Sequence, residues 1–161
     1  MPRQLDVRQV SISYREAPVV RDVSFTLKRG DIGCLLGPSG CGKTSLLRAI
    51  AGFEPVSAGE IYLQGRLVSR PGMTLEPERR QVGMVFQDAD SQIVGETVWE
   101  DAAFGPQNLS FKKSIVKEKV QTVLETVGLA HLAEKPPYLL SGGEKRRLAI
   151  AGVLAMDPQI I

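Results

Sequence analysis

Apolar and polar residues alternate in two segments near the start of the chain. From Leu5 to Ser13 the apolar positions fall mostly on every second residue, and Val19 to Leu27 follows the same pattern. Because strand side chains point alternately to the two faces, this period predicts two half-buried strands. A third strand is predicted over Glu60 to Leu63, whereas Ser69 to Pro77 contains turn-forming residues and predicts a loop.

Two further segments, Ile32 to Leu36 and Val82 to Phe86, are continuous apolar runs. Runs of this kind suit strands buried on both faces, as in a parallel sheet. The first run includes Cys34, which we therefore expect to be a small buried strand residue. A Gly-rich stretch follows it, and Lys43 to Ala51 then predicts a helix.

After Phe86 the apolar period becomes helical. Helices are predicted over Thr97–Ala103, Ser114–Val127 and Gly142–Met156. The first is expected to stop before Gly105-Pro106, and Gly128 is a helix-terminating residue after the second. We therefore expect a strand-rich half up to about Phe86 and a helical half after it.

Composition is that of an ordinary globular domain. The chain has 161 residues, 43% hydrophobic and 24% charged, with a net charge of +2 spread along its length. This balance gives no reason to expect nucleic acid as a partner. No apolar stretch approaches the roughly 18 residues of a membrane span, and no signal-peptide core is evident. We expect a cytosolic chain, in which Cys34 and Cys41 form no disulfide.

One Gly-rich segment carries specific chemistry. It reads Gly37-Pro38-Ser39-Gly40-Cys41-Gly42-Lys43-Thr44, which matches the P-loop pattern G-x-x-x-x-G-K-[ST]. Its glycines allow backbone N–H groups to approach phosphates, and the following helix adds its positive dipole end. Lys43 supplies a cation for the outer phosphates, and the Thr44 hydroxyl can ligate magnesium. A chance Gly-rich turn is the alternative, but the predicted strand before and helix after favour a nucleoside triphosphate site.

A second motif, Leu140-Ser141-Gly142-Gly143-Glu144, distinguishes between P-loop families. Taken alone it could be a helix cap formed by Ser141. Some hundred residues after a P-loop, it resembles the LSGG signature of ABC ATPases. The resemblance implies an α/β fold: a P-loop NTPase (ABC ATPase) core with an antiparallel β subdomain at residues 1–87 and a helical signature subdomain at 88–157. Residues 158–161 would begin the Walker B strand, so the C-terminal part of the core is expected to be missing from this chain.

The resemblance also implies the ligands and their residues. Tyr14 would stack on adenine, and Gln87 would ligate magnesium with Thr44; an ordinary strand tyrosine and a polar strand end are the alternatives. The implied ATP contacts are Tyr14, Gly37, Pro38, Ser39, Gly40, Cys41, Gly42, Lys43, Thr44, Ser45 and Gln87. The resemblance also implies that the signature residues face the ATP of a second ABC ATPase domain, which is identical or paralogous. In this chain they are Ser141, Gly142, Gly143 and Glu144. An integral membrane subunit would hold the pair at the inner face of the membrane.

The last residues, Ala155 to Ile161, resemble the approach to a Walker B strand. In the family an Asp-Glu pair and a switch histidine follow, so no catalytic residue is assigned within the chain. We read His131 as a surface residue and Trp99 as a core residue. The expectation is weak ATP binding, negligible hydrolysis and marginal stability for this chain alone. A non-hydrolysing ATP-binding module, or an ABC protein of DNA repair or translation, are the alternatives to a transport subunit.

The two halves resemble different importers. Residues 49–87 are similar to importers of ferric ion, polyamines or sugars, whereas residues 92–105 and 149–155 resemble energy-coupling-factor and cobalt or nickel importers. The segment after Gln87 contacts the membrane subunit in the family, so the second resemblance receives more weight. A mosaic of two sources is a further hypothesis.

Overall fold

The computed structural model describes residues 3–15 and 17–161 and divides the chain into two compact units. The first unit ends at Val82 and the second begins at Gly83.

The described residues of the first unit contain a five-stranded antiparallel sheet, one α-helix and a short 3-10 helix at Pro77–Arg79. Its strands are β1 (Arg3–Tyr14), β2 (Ala17–Lys28), β3 (Ala58–Leu63), β4 (Arg66–Arg70) and β5 (Met73–Thr74), in the spatial order β2-β1-β3-β4-β5. The helix is α1 (Lys43–Ala51). The predictions of β1, β2, β3 and α1 are confirmed. The loop predicted at Ser69 to Pro77 is wrong in its first part, because β4 and β5 pair there as a hairpin.

A bulge in β1 shows why this sheet needs a glycine in β3. Gln9 adopts a positive φ of 48°, and Gly59 has a φ of 79°. A Cβ at Gly59 would overlap the backbone carbonyl oxygens of Arg8 and Gln9. Glycine is therefore required where β3 passes the bulge, since it alone has no side chain at this close approach.

The two predicted central strands do not form. The segment from Ile32 to Leu36 has no regular structure, and Ile32 and Leu36 are 97% and 88% exposed. A strand buried on both faces needs neighbours for its backbone groups, and the described parts of the chain contain no strand paired with this segment. Cys34 is accordingly exposed, so its prediction as a buried residue is wrong.

The run from Val82 to Phe86 has no regular secondary structure over most of its length. Within the second unit, the Gly83 N–H donates to the Ile160 carbonyl at 2.8 Å. Val85 and Phe86 remain exposed. The pattern identified an apolar segment, but a single contact of this kind does not make a strand.

The second unit is helical. It contains α2 (Val98–Asn108), α3 (Lys113–Thr126) and α4 (Gly142–Ala155). The predictions of α3 and α4 are confirmed within a residue at each end. These helices enclose a core of Val98, Ala102, Ala103, Val116, Val120, Leu124, Leu129, Leu132, Leu140, Leu148 and Ala151.

The predicted end of the first of these helices is wrong, because α2 continues through Gly105 and Pro106 to Asn108. Pro106 is buried inside the helix, and the carbonyls of both residues accept hydrogen bonds, from Leu109 at 3.0 Å and from Phe111 at 3.1 Å. A Cβ at Gly105 would lie 2.6 Å from Met156. Packing against the end of α4 thus favours helix where local propensity disfavours it.

Trp99 is partly buried against this core, and His131 is exposed, as expected from the sequence. Among the described residues, the helices are all too short or too polar to cross a bilayer.

Candidate nucleotide-binding site

The N-terminal end of α1 is open to an anion. Its N-cap residue is Gly42, which has a φ of 90° and offers no side chain to cap the helix, and the first turn contains no acidic residue. The first N–H groups of a helix have no partner within the helix and carry the positive end of its dipole. This helix start therefore presents donors to a phosphate instead of consuming them in a cap.

The glycines of the loop before α1 are required by space as well as by conformation. A Cβ at Gly42 would lie 2.7 Å from Val20 Cγ2 and 2.8 Å from the carbonyl oxygen of Val19. A Cβ at Gly37 would lie 2.7 Å from Cys41 Sγ. The loop can follow its tight path only without side chains at these two positions.

Lys43 holds its ammonium group against the same loop. Nζ donates to the carbonyl oxygens of Gly37 at 2.8 Å and Pro38 at 2.7 Å, with Cys41 Sγ at 3.5 Å. The Lys43 cation is thus held on the loop that leads into α1. The next residue, Thr44, is exposed.

Tyr14 lies beside the first turn of α1. Its hydroxyl donates to Ser45 Oγ at 3.1 Å, and its side chain is 42% exposed. The structure therefore brings together the predicted residues Tyr14 and Gly37 to Ser45 in the first unit. Stacking of Tyr14 on adenine stays a prediction.

The predicted signature residues form a complete capping box at the start of α4. Glu144 N–H donates to Ser141 Oγ at 3.3 Å, while the Glu144 carboxylate accepts from the backbone N–H and the hydroxyl of Ser141, each at 2.7 Å. These hydrogen bonds from Ser141 lower the pKa of the Glu144 carboxyl. Gly142 and Gly143 are exposed, so a ligand can approach their backbone closely.

Gln87 lies in an exposed loop whose residues form hydrogen bonds with one another. The Phe86 N–H donates to Gln92 Oε1 at 2.7 Å, and the Asp90 N–H donates to Asp88 Oδ1 at 3.1 Å. Lys145 of α4 forms an ion pair with Asp90, with 2.5 Å between Nζ and Oδ1. The structure thus ties the loop of Gln87 to the signature helix, a link that the sequence pattern alone did not reveal.

Sequence reasoning also missed the residue that fixes the entry to α2. The buried carboxylate of Asp101 accepts from the N–H groups of Val94 at 2.7 Å and Gly95 at 3.0 Å. A Cβ at Gly95 would overlap the Asp101 backbone. The available signal was a glycine, Gly95, six residues before an acidic residue in the first turn of the predicted helix.

Arg80 is the other residue that was missed. It is buried, with 4% of its surface exposed, and donates to groups at the C-terminal end of α1 and in β4. No group of three or more His, Cys, Asp or Glu side chains that could hold a metal ion occurs in the described parts of the chain.

An open helix start behind a glycine loop with an internal lysine defines a phosphate-binding protein of the P-loop class. The profile of the ABC transporter family matches residues 20–161. The chain therefore belongs to the ABC transporter family, and its fold is that of the ABC ATPases.

Two similar proteins indicate the branch of the family to which this chain is related. The chain is 40% identical over 158 residues to the energy-coupling factor transporter ATP-binding protein EcfA2 of Methanospirillum hungatei, covering 98% of this chain and 40% of the relative. It is 42% identical over 143 residues to EcfA of Methanocaldococcus jannaschii, covering 89% of this chain and 51% of the relative. The chain thus spans about half or less of the length of these relatives.

A solved structure gives the same result. The chain superposes on cbiO1 of Clostridium perfringens, described as part of the ABC transporter complex cbiONQ, with a TM-score of 0.84 and 30% identity. The match covers 98% of this chain and 63% of that chain. The similarity to energy-coupling-factor and cobalt-type proteins, predicted from residues 92–105 and 149–155, is supported.

Proposed function

We propose that this chain is the nucleotide-binding part of the ATP-binding subunit of an importer, and that the whole protein couples ATP binding and hydrolysis to solute uptake. The observation that carries the proposal is the open N-terminus of α1, with the Lys43 ammonium held on the glycine loop before it. A triphosphate provides the dense negative charge that this arrangement suits.

ATP would bind with its phosphates on residues Gly37 to Ser45 and its adenine against Tyr14. Magnesium would be held by the Thr44 hydroxyl and by Gln87, with further ligands from the phosphates. The exposed Thr44 hydroxyl, next to Lys43, fits a hard cation carried in by the nucleotide. When bound, magnesium neutralises phosphate charge. No catalytic base is assigned within residues 1–161.

The proposed partners are a second ABC ATPase domain and an integral membrane subunit. Ser141, Gly142, Gly143 and Glu144 would face the ATP bound by that second domain. The named relatives are energy-coupling-factor subunits, and cbiO1 is part of a transporter complex, which supports an import system of this type. The protein would lie on the inner face of the membrane through its membrane subunit.

Titration of the complete protein with Mg-ATP tests the proposal. Lys43→Ala removes the only side-chain cation on the loop from Gly37 to Thr44, so we expect at least about a tenfold loss of affinity, because a charge-assisted contact contributes roughly 1.5–3 kcal/mol. Lys28→Ala, at the exposed end of β2, is the matched control. Equal affinities of the Lys43→Ala and wild-type proteins would contradict the proposed site.

The two cysteines localise the nucleotide. Cys34 and Cys41 are both free and exposed, and only Cys41 lies on the glycine loop. Bound ATP should slow alkylation of Cys41 in a Cys34→Ala background and leave Cys34 unprotected in a Cys41→Ala background. Membrane association is tested separately, by asking whether an integral membrane protein copurifies with the tagged full-length chain.

A further inference from the structure

Arg80 is a buried cation whose hydrogen bonds all end on neutral oxygen atoms. Nε donates to the Leu75 carbonyl at 2.7 Å. Nη1 donates to the carbonyls of Ala49 at 2.9 Å and Ile50 at 3.0 Å, and Nη2 donates to the Val68 carbonyl at 2.9 Å and to Ser69 Oγ at 2.8 Å. A fully used guanidinium of this kind fixes the segments that it joins.

The segments that Arg80 joins include the C-terminal end of α1. Ala49 and Ile50 belong to the last turn of that helix, whereas Val68 and Ser69 belong to β4. The last carbonyls of a helix have no partner within it and carry the negative end of the dipole. Arg80 therefore gives the Ile50 carbonyl a donor, adds a second donor to the Ala49 carbonyl, which also accepts from the Gly52 N–H at 3.3 Å, and balances the negative end of the dipole.

A glycine at the end of α1 leaves space for the Arg80 side chain. Gly52 is the C-cap of α1, with a φ of 96°, and a Cβ there would lie 2.6 Å from Arg80 Nε and 2.9 Å from the Leu75 carbonyl oxygen. Burial lowers the pKa of Arg80 to about 10, partly opposed by Glu76, so the side chain is still a cation at neutral pH.

We propose that Arg80 is a positioning residue for nucleotide binding: by fixing the C-terminal end of α1 to β4, it preorganises the phosphate-binding loop at the other end. The inference rests on the proposed ATP site at Gly37 to Ser45. With a rise of about 1.5 Å per residue, the nine residues of α1 form a rod of about 13 Å. A rod held at its far end keeps its first N–H groups in place before the ligand arrives.

This role has a thermodynamic signature that a merely structural role lacks. Where a mutation loosens α1 in the folded protein, ATP must supply the ordering free energy, and its affinity falls. Where a mutation only lowers the free energy of unfolding, affinity measured well below the melting temperature is unchanged. Affinity and stability must therefore be measured on the same variants.

The test uses the complete protein with Arg80→Lys, Arg80→Met and the neighbouring control Arg79→Met. Arg79 is exposed, so its substitution removes a charge without touching α1. We expect Mg-ATP affinity, measured well below each melting temperature, to fall about tenfold or more for Arg80→Met and less for Arg80→Lys. Arg79→Met should stay within about twofold of wild type. In steady-state hydrolysis KM should rise more than kcat falls.

Ser69→Ala gives a milder variant if Arg80→Met does not fold. It removes one acceptor of the guanidinium and leaves the charge in place, and we expect a two- to fivefold loss of affinity. Unchanged affinity in the folded Arg80 variants, with only a lower melting temperature, would overturn the inference. Absence of ATP binding in the wild type would instead overturn the proposed function on which it rests.

Discussion

The glycines of the phosphate-binding loop differ in how much a side chain would disturb the fold. Gly40 and Gly42 both have positive φ, at 81° and 90°, but a Cβ at Gly40 meets nothing within 4 Å, whereas one at Gly42 meets Val19 and Val20. Gly40→Ala should lower the free energy of unfolding by about 1–2 kcal/mol, from backbone strain alone. Gly42→Ala should lower it by a further 1–3 kcal/mol or so, from steric overlap. Urea denaturation measures both, and equal losses would contradict the assigned close contact with β2.

At the same scale, motif residues could be predicted and Arg80 could not. The loop from Gly37 to Thr44 carries its requirement in local residue types and spacing, so the sequence alone identified it. Arg80 depends on carbonyls from Ala49, Val68 and Leu75, which come together only in the folded unit. Nothing local distinguishes it from the exposed Arg79 beside it.

Elements with a clear helical or alternating pattern formed as predicted, whereas the two continuous apolar runs, which need strands on both sides, did not. Local sequence pattern was enough for α1, α3 and α4, because a helix satisfies most of its backbone hydrogen bonds within itself. The segment from Ile32 to Leu36 depends on neighbouring strands, and it is exposed and irregular here. The end of α2 was missed because packing of Gly105 against Met156 overrides the helix-breaking pair.

The capping box of α4 predicts a pH-dependent contribution to stability. Ser141→Ala should lower the free energy of unfolding by about 1 kcal/mol at neutral pH, the usual effect of losing an N-cap. Hydrogen bonds from Ser141 lower the pKa of Glu144 in the folded chain, so the ionised carboxylate stabilises the fold above its unfolded pKa. That contribution disappears as the pH falls through the lower, folded pKa.

The measurement is the stability difference between wild type and Glu144→Gln as a function of pH. It should be largest at neutral pH and shrink steadily through the acid range. Glu100→Gln, in the equivalent box formed with Thr97 at the start of α2, is the matched control for a general loss of capping. A difference that stays constant down to low pH would contradict ionisation of Glu144 as the cause.

At the scale of the whole molecule, the segment before the phosphate-binding loop predicts self-association. Ile32 and Leu36 are large apolar side chains at 97% and 88% exposure, close together in an irregular segment. Adjacent exposed apolar residues with unpaired backbone are prone to association, because another chain can cover both. The 161-residue chain should therefore form oligomers or aggregates at micromolar concentration, measured by light scattering coupled to size-exclusion chromatography.

Ile32→Lys with Leu36→Lys should shift the distribution towards monomer by adding charge to that segment. The control is Ile115→Lys, at a 40% exposed position on α3, which should leave the distribution unchanged. A wild-type chain that elutes as a single monomeric species would contradict the prediction and show that this segment is covered in solution.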